Sequence, residues 1–343
     1  MQLYNKISAE ERRLLIEAAN TERLTLSFYK YHNILNPKFF RDYLFFHWNS
    51  IDVLGRIYIA PEGINAQISL PAFQFKKFKI FLDEITFLKG VRLNIAVEQN
   101  DKSFLKLTIK TRDKIVADGL DDSTFDVTQK GTHVNAKRFN ELLLEDGTIC
   151  LDMRNHYESE IGHFKGAFTP DVDTFRESLP FIEQILDEQQ KDKKLLMYCT
   201  GGIRCEKASA YFKHKGFKNV FQLEGGIIEY AKQVEAEGLK NQFIGKNFVF
   251  DERRGERVSN FIIAKCHQCG VPSDTHVNCS NEACHLLFIQ CESCQEKRQS
   301  CCCSDCQDIF NLPLEYQKQL RKGKQNSNKI FRKGRSEVLK FKS

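Results

Sequence analysis

Residues 194–207, KLLMYCTGGIRCEK, constrain the fold of this chain more than any other stretch. Leu195, Leu196 and Met197 read as a short buried strand that ends at Cys199. A tight loop follows, Thr200-Gly201-Gly202-Ile203-Arg204-Cys205, and the pattern predicts a helix over 206–215. Two adjacent glycines let the backbone turn sharply enough for several amides to face one centre. The helix start adds positive potential there, and Arg204 adds a full charge. The Cys199 thiol is therefore expected to titrate low and to act as a nucleophile. A cysteine that merely ends a core strand needs neither the Gly-Gly turn nor the arginine.

The chain has 343 residues, enough for two or three domains. No apolar run approaches the 18 or so residues of a membrane span, and the N-terminus lacks a signal-like apolar core, so a cytoplasmic protein is expected. The net charge of +6 is unevenly spread. Residues 317–343 carry ten Lys/Arg and one acid, whereas the 316 residues before them carry 41 basic and 44 acidic side chains. The basic character belongs to the tail, 313–343, expected to be mobile until it meets a polyanion.

Ser8-x-x-Glu11 before Leu14, Leu15 and Ala18 predicts a capped helix over 9–19 within an N-terminal segment, 1–22. Residues 23–118 alternate between strand and helix periods. Strands are expected at 24–30, 53–60, 64–70, 92–98 and 104–110, and helices at 38–49 and 72–86. The β-α-β-β-α-β order fits a ferredoxin-like α+β domain. Phe78, Phe81, Leu82 and Ile85 supply a buried helix stripe. The polar stretch 119–135 reads as a linker.

Residues 136–237 read as an α/β domain with a parallel sheet. Helices are expected at 137–144, 174–189 and 227–236, and strands near 148–152, 194–198 and 220–223. Cys199 then falls at the carboxyl end of a strand, where such sheets carry their sites. Asp152 and Arg154 follow another strand end; a brace for the Cys loop and a surface salt bridge both fit them. His156 and His163 fit either proton transfer or packing. Cys205 fits either a resolving thiol or a packed helix-start residue.

Residues 238–312 combine a β-hairpin with a small Cys-rich region. The hairpin is expected over 243–263, with Phe248-Val249-Phe250 and Val258 flanking a charged turn. Ten of the thirteen cysteines lie within 266–306, as Cys266-x2-Cys269, Cys279-x4-Cys284, Cys291-x2-Cys294 and Cys301-Cys302-Cys303-x2-Cys306. Thiolates in close pairs suit tetrahedral Zn²⁺, and four pairs fill two closed structural sites. Two pairings fit, and the interleaved one is preferred. The interleaved one joins 266/269 with 291/294, and 279/284 with 302 or 303 and 306; the other is sequential. His267, His276 and His285 are possible replacements for a thiolate.

The Cys loop resembles that of rhodanese domains. So do Ile149-Cys150-Leu151-Asp152-Met153-Arg154, the segment Gly162-His163-Phe164-Lys165-Gly166-Ala167, and Val220 to Ile227 with its Gly225-Gly226. With SFYKYHNI, APEGINAQIS, MYCTGGIRCEKAS, IGKNFVFDER and CHQCG beside them, the chain is similar to the bacterial tRNA uridine(34) hydroxylases. That resemblance implies oxygen-dependent 5-hydroxylation of the wobble uridine, with the tRNA anticodon region as partner, O₂ as co-substrate, and the N-terminal and zinc regions assisting tRNA binding. Cys199 and Arg204 would be its catalytic residues, supported by Thr200, Gly201, Gly202, Ile203, Cys205, Asp152 and Arg154. No organic cofactor motif is evident. Two other activities are weighed: a sulfurtransferase carrying a Cys199 persulfide, and a non-catalytic zinc-bearing RNA-binding module. A phosphatase is disfavoured, because Cys-x4-Arg is one residue short of a phosphate loop.

Overall fold

A computed structural model describes residues 7–121, 124–186, 190–322 and 333–334. Helix α1 (Ala9–Ala19) opens with the reciprocal Ser8–Glu11 capping box that the spacing predicts. The next elements are β1 (Arg23–Tyr31), α2 (Pro37–Asn49), β2 (Leu54–Ala60), β3 (Gly63–Pro71), α3 (Phe75–Glu84), β4 (Asn94–Ile95) and β5 (Leu107–Thr111). They form one sheet in the order β4-β1-β3-β2-β5. The first four strands pair antiparallel in the split βαβ arrangement, and β5 joins β2 in parallel. Phe28, Trp48 and Phe78, all fully buried, meet at centroid distances of 5.5–6.4 Å and seal the helices to the sheet. Strand β4 is shorter than the expected 92–98 because side chains take over its ladder: the Val97 amide donates to Glu256 and the Thr25 amide to Gln99.

The central region contains β6 (Thr132–Val134), α4 (Ala136–Leu144), β7 (Ile149–Asp152), α5 (His156–Ser159), β8 (Gly162–Phe164), α6 (Phe175–Ile185), β9 (Lys194–Tyr198), α7 (Ile203–His214), β10 (Asn219–Leu223) and α8 (Gly226–Glu237). Its parallel sheet runs β6-β10-β9-β7. Along β9, Leu195 and Met197 enter one apolar cluster and Leu196 and Tyr198 the other, so the strand is buried on both faces. Two expectations change here. The stretch 119–135, read as linker, supplies the edge strand β6, whose Thr132 and His133 show no buried pattern. Helix α7 begins at Ile203 rather than 206, because Gly202 takes a φ of +101° and turns the chain into the helix earlier. For the helix expected over 174–189, residues 187–189 lie outside the described residues.

The C-terminal region holds β11 (Phe243–Asn247), β12 (Glu256–Arg257), β13 (His276–Asn278), β14 (Leu287–Ile289), α9 (Glu292–Arg298), α10 (Ser304–Phe310) and α11 (Leu314–Arg321). Strand β11 pairs with β8 on one side and β12 on the other, which ties this region to the parallel-sheet domain. The hairpin exists, but Phe248, Val249 and Phe250 lie in its loop rather than in a strand. The two phenylalanines instead pack with Tyr157 and Ile161, with Phe248 and Tyr157 rings 5.3 Å apart. The tail expectation also changes in part. Residues 314–321 form α11, with only Gln317 buried, and Lys333–Gly334 bridge to Leu287. Residues 323–332 and 335–343 lie outside the described residues. Among the described residues no helix is long and apolar enough to cross a membrane.

Candidate active site

Cys199 leaves the end of β9, 1% exposed, and its Sγ accepts from the Gly202 amide at 3.1 Å. Burial works to raise this thiol's pKa. It is outweighed by a hydrogen bond from the Cys205 thiol, by the Arg204 charge, and by the Cys205 and Arg204 amides, so the pKa is lowered to about 6. Cys205 answers in the opposite sense: burial, then the Cys199 hydrogen bond and charge, push it well above the ordinary thiol value. One sulfur is an anion at neutral pH and the other its proton-bearing donor. The loop carbonyls are held from beyond β10. Ile227 and Ile228 amides donate to Cys199 and Thr200 at 3.0 and 3.2 Å. Gly226, with φ +66°, allows that approach, since a Cβ there would meet the Cys199 carbonyl at 2.5 Å.

Arg204 does not stand free over the loop. Its guanidinium grips Glu158 with both ends, at 2.6 and 2.9 Å, and reaches Thr200 Oγ1 at 3.3 Å. Glu158 is fully buried. Sequence reasoning missed it: 46 residues separate it from Arg204, and nothing local marks it beyond its place in the Asn155 capping box. Asp152 and Arg154 are fully buried too, which excludes a surface salt bridge. Arg154 pairs bidentately with Asp152 and donates to the Gly162 carbonyl at 2.6 Å, while Tyr198 Oη donates to Asp152 at 2.7 Å. They brace the strand end through Tyr198, one residue before the thiol, and do not touch the loop. His156 pairs with Asp173 at 2.8 Å and His163 Nδ1 meets the Phe164 carbonyl at 3.0 Å. Neither is hydrogen-bonded to Cys199.

The N-terminal sheet covers the loop from the other side. Tyr29 Oη donates to Glu206 at 3.1 Å, Tyr31 Oη to the Ile203 carbonyl at 3.4 Å, and Asn94 Nδ2 to the Gly201 carbonyl at 3.4 Å. Burial, then the charges of Glu206 and Cys199, push the Tyr29 phenol well up, so it remains a donor. The 61–62 turn between β2 and β3 is the fastening point: Glu62 takes the buried Lys207 ammonium at 2.7 Å and the Ile115 amide at 2.7 Å. A cavity of about 50 Å³ lies between Ser27, Gln67, Asn94, Thr200 and Phe250. It has room for roughly two waters and not for a pyrimidine ring.

Eight cysteines form two tetrads, Cys266, Cys269, Cys291 and Cys294, and Cys279, Cys284, Cys302 and Cys306, with every sulfur of a tetrad within 4.8 Å of the others. The Cys269–Cys291, Cys284–Cys302 and Cys302–Cys306 separations are 3.6, 3.7 and 3.7 Å. Those are far too long for a disulfide of about 2.05 Å and close to the ~3.8 Å edge of a tetrahedron with ~2.3 Å Zn–S bonds. The donors are all thiol and fit a metal. The interleaved arrangement is the one formed, with 302 rather than 303. The histidines stand aside: His267 meets Glu160 at 2.8 Å, His285 is exposed, and His276 is buried outside both tetrads.

The parallel sheet, the thiolate-bearing Cys-x4-Arg loop and the flanking regions define a rhodanese-type protein with an added N-terminal sheet and thiol centres. Three family models match in register: the UPF0176 acylphosphatase like domain over residues 23–115, the rhodanese-like domain over 135–233 and the rhodanase C-terminal model over 244–307. The chain is 54% identical to the tRNA uridine(34) hydroxylase of Pectobacterium carotovorum, over 97% of this chain and 94% of that one. It is 52% identical to that of Photorhabdus laumondii, over 97% and 95%, and 51% to that of Leptospira interrogans, over 97% and 90%. The chain belongs to the tRNA uridine(34) hydroxylase family.

Proposed function

We propose that this chain hydroxylates C5 of uridine 34 in tRNA, in the cytoplasm, with Cys199 as nucleophile and O₂ as the oxygen source. The observation that carries this reading is the Cys199 sulfur: a thiol held near pKa 6 by Cys205, Arg204 and loop amides, in a chain 54% identical to a protein named for that activity. Uracil is electron-poor at C6. Thiolate addition there makes C5 enolate-like, and C5 attacks an electrophilic oxygen derived from O₂. Two electrons from a cellular reductant and two protons convert the second oxygen atom to water. Loss of the C5 proton then expels the thiolate and leaves 5-hydroxyuridine.

The chain's own residues act around that sulfur. The Gly202 amide and the Cys205 thiol hold the charge. Arg204, neutralised in part by Glu158, supports the anion from behind, and Asp152 and Arg154 position the strand end through Tyr198. Both thiol tetrads would hold Zn²⁺ as closed structural sites, with no position left for substrate. A phosphatase fits poorly, because both ends of the guanidinium that would grip phosphate are taken by Glu158. The same amide-lined sulfur would also carry a persulfide. Nucleoside mass spectrometry of bulk tRNA from cells with and without this gene separates the two. Loss of 5-hydroxyuridine derivatives supports hydroxylation; loss of thiolated nucleosides with those derivatives intact selects sulfur transfer.

A further inference from the structure

An open groove of about 430 Å³ lies beside the small cavity at Thr200. Its walls come from all three regions: Arg56 and Lys106 from the N-terminal sheet, the β11–β12 loop, and the thiol-rich region with Lys333 against it. Phe104, Val249, Phe250 and Asp251 line both spaces, so only this wall separates the groove from the loop that holds Cys199. The Arg204 guanidinium lies 6.0 Å from the Phe250 ring, on the wall's inner side.

The groove carries two cations, Arg56 and Lys106, that the fold does not pair, and two more that it engages only in part. Arg56 and Lys106 are exposed and have no acid partner among the described residues. Lys333 is half-buried with its ammonium 4.5 Å from the Tyr157 ring centroid, within the field of the Glu158 and Asp173 carboxylates. Arg254 donates one N–H to the His276 carbonyl at 3.2 Å. Two acids share the lining. Asp251 is held bidentately by Arg253, at 2.8 and 2.5 Å, and Glu252 is exposed. Two unpaired cations, Arg56 and Lys106, and two partly engaged ones, Arg254 and Lys333, therefore line the groove with one exposed carboxylate, Glu252, beside an aromatic ring.

We propose that this groove binds the RNA strand carrying the target base. Its phosphates lie against Arg56, Lys106, Arg254 and Lys333, and displacement of Phe250 with the β11–β12 loop admits the base to Cys199. Exposed cations along a groove with an aromatic platform suit a single strand. Residues 248–255 form no strand ladder; the loop is held instead by Phe248 and Phe250 packing against Tyr157 and Ile161 and by the Glu252 amide donating to the Ser103 carbonyl at 3.2 Å, contacts that must break for it to move. This inference rests on the proposed tRNA activity and adds where the strand lies.

The test uses the full, metal-loaded chain and a labelled anticodon stem-loop RNA, titrated by fluorescence anisotropy over a range of salt. Arg56→Glu and Lys106→Glu, both at exposed positions, should each weaken binding about fivefold or more and lower the salt slope by about one. Lys79→Glu, exposed on α3 outside the groove, should change little. Groove variants that bind like the unaltered protein, or an equal loss from Lys79→Glu, would overturn the groove while leaving the hydroxylase reading intact. Failure of the unaltered protein to bind this RNA would also overturn the groove, and the nucleoside analysis then decides the hydroxylase reading separately.

Discussion

At the scale of single residues, the Cys199 sulfur has its charge stabilised from several directions. Cys199 falls from an ordinary thiol value of 9.0 to about 6. A group whose folded pKa lies below its unfolded value contributes stability in full above the unfolded pKa, and loses it as pH falls through the folded one. The thiolate absorbance of the protein minus that of Cys199→Ser should therefore rise with a midpoint near pH 6, and the stability gap between the two should widen from there toward pH 9. A midpoint at or above 8 would remove the nucleophile. Cys199 and Arg204 were legible in the sequence because strand, double glycine and arginine sit within six residues. Glu158 was not, since its pairing with Arg204 exists only once β7 and β9 are neighbours. Asp152 and Arg154 were visible as candidates, but their action through Tyr198 needed the packing.

Among the elements, those with strong periodicity were legible and those held by side chains or thiols were not. Helix α3 and strands β1 to β3 follow their hydrophobic patterns closely. Strand β6 was hidden because an edge strand with two exposed residues looks like a polar linker. The thiol pairing was legible in part: spacing favoured the interleaved arrangement only narrowly over a sequential one, and the β13–β14 hairpin, which sets Cys279 ahead of the returning chain, forms the interleaved one. The short elements β13, β14, α9 and α10 have little apolar core of their own, so their order should depend on metal. The purified chain should carry two Zn²⁺, one per tetrad. Chelation should raise amide exchange in residues 276–310 while the parallel sheet stays protected. Protein purified without chelators that holds no metal, with its thiols freely alkylated, would contradict this.

At the scale of the whole molecule, the thiol loop is a buried junction rather than an open rhodanese site. Tyr29, Tyr31 and Asn94 cover the loop, and the 61–62 turn locks the N-terminal sheet onto α7 through Glu62 and Lys207. The same residues, part of the APEGINAQIS motif, thus join domains. The N-terminal sheet forms one wall of the site. The most direct test is complementation in cells that lack every other enzyme for this modification. Cys199→Ser, verified to retain fold, metal content and RNA affinity, should restore no 5-hydroxyuridine to tRNA, whereas the unaltered chain restores it. Normal 5-hydroxyuridine from Cys199→Ser would show that the reaction occurs elsewhere in the molecule.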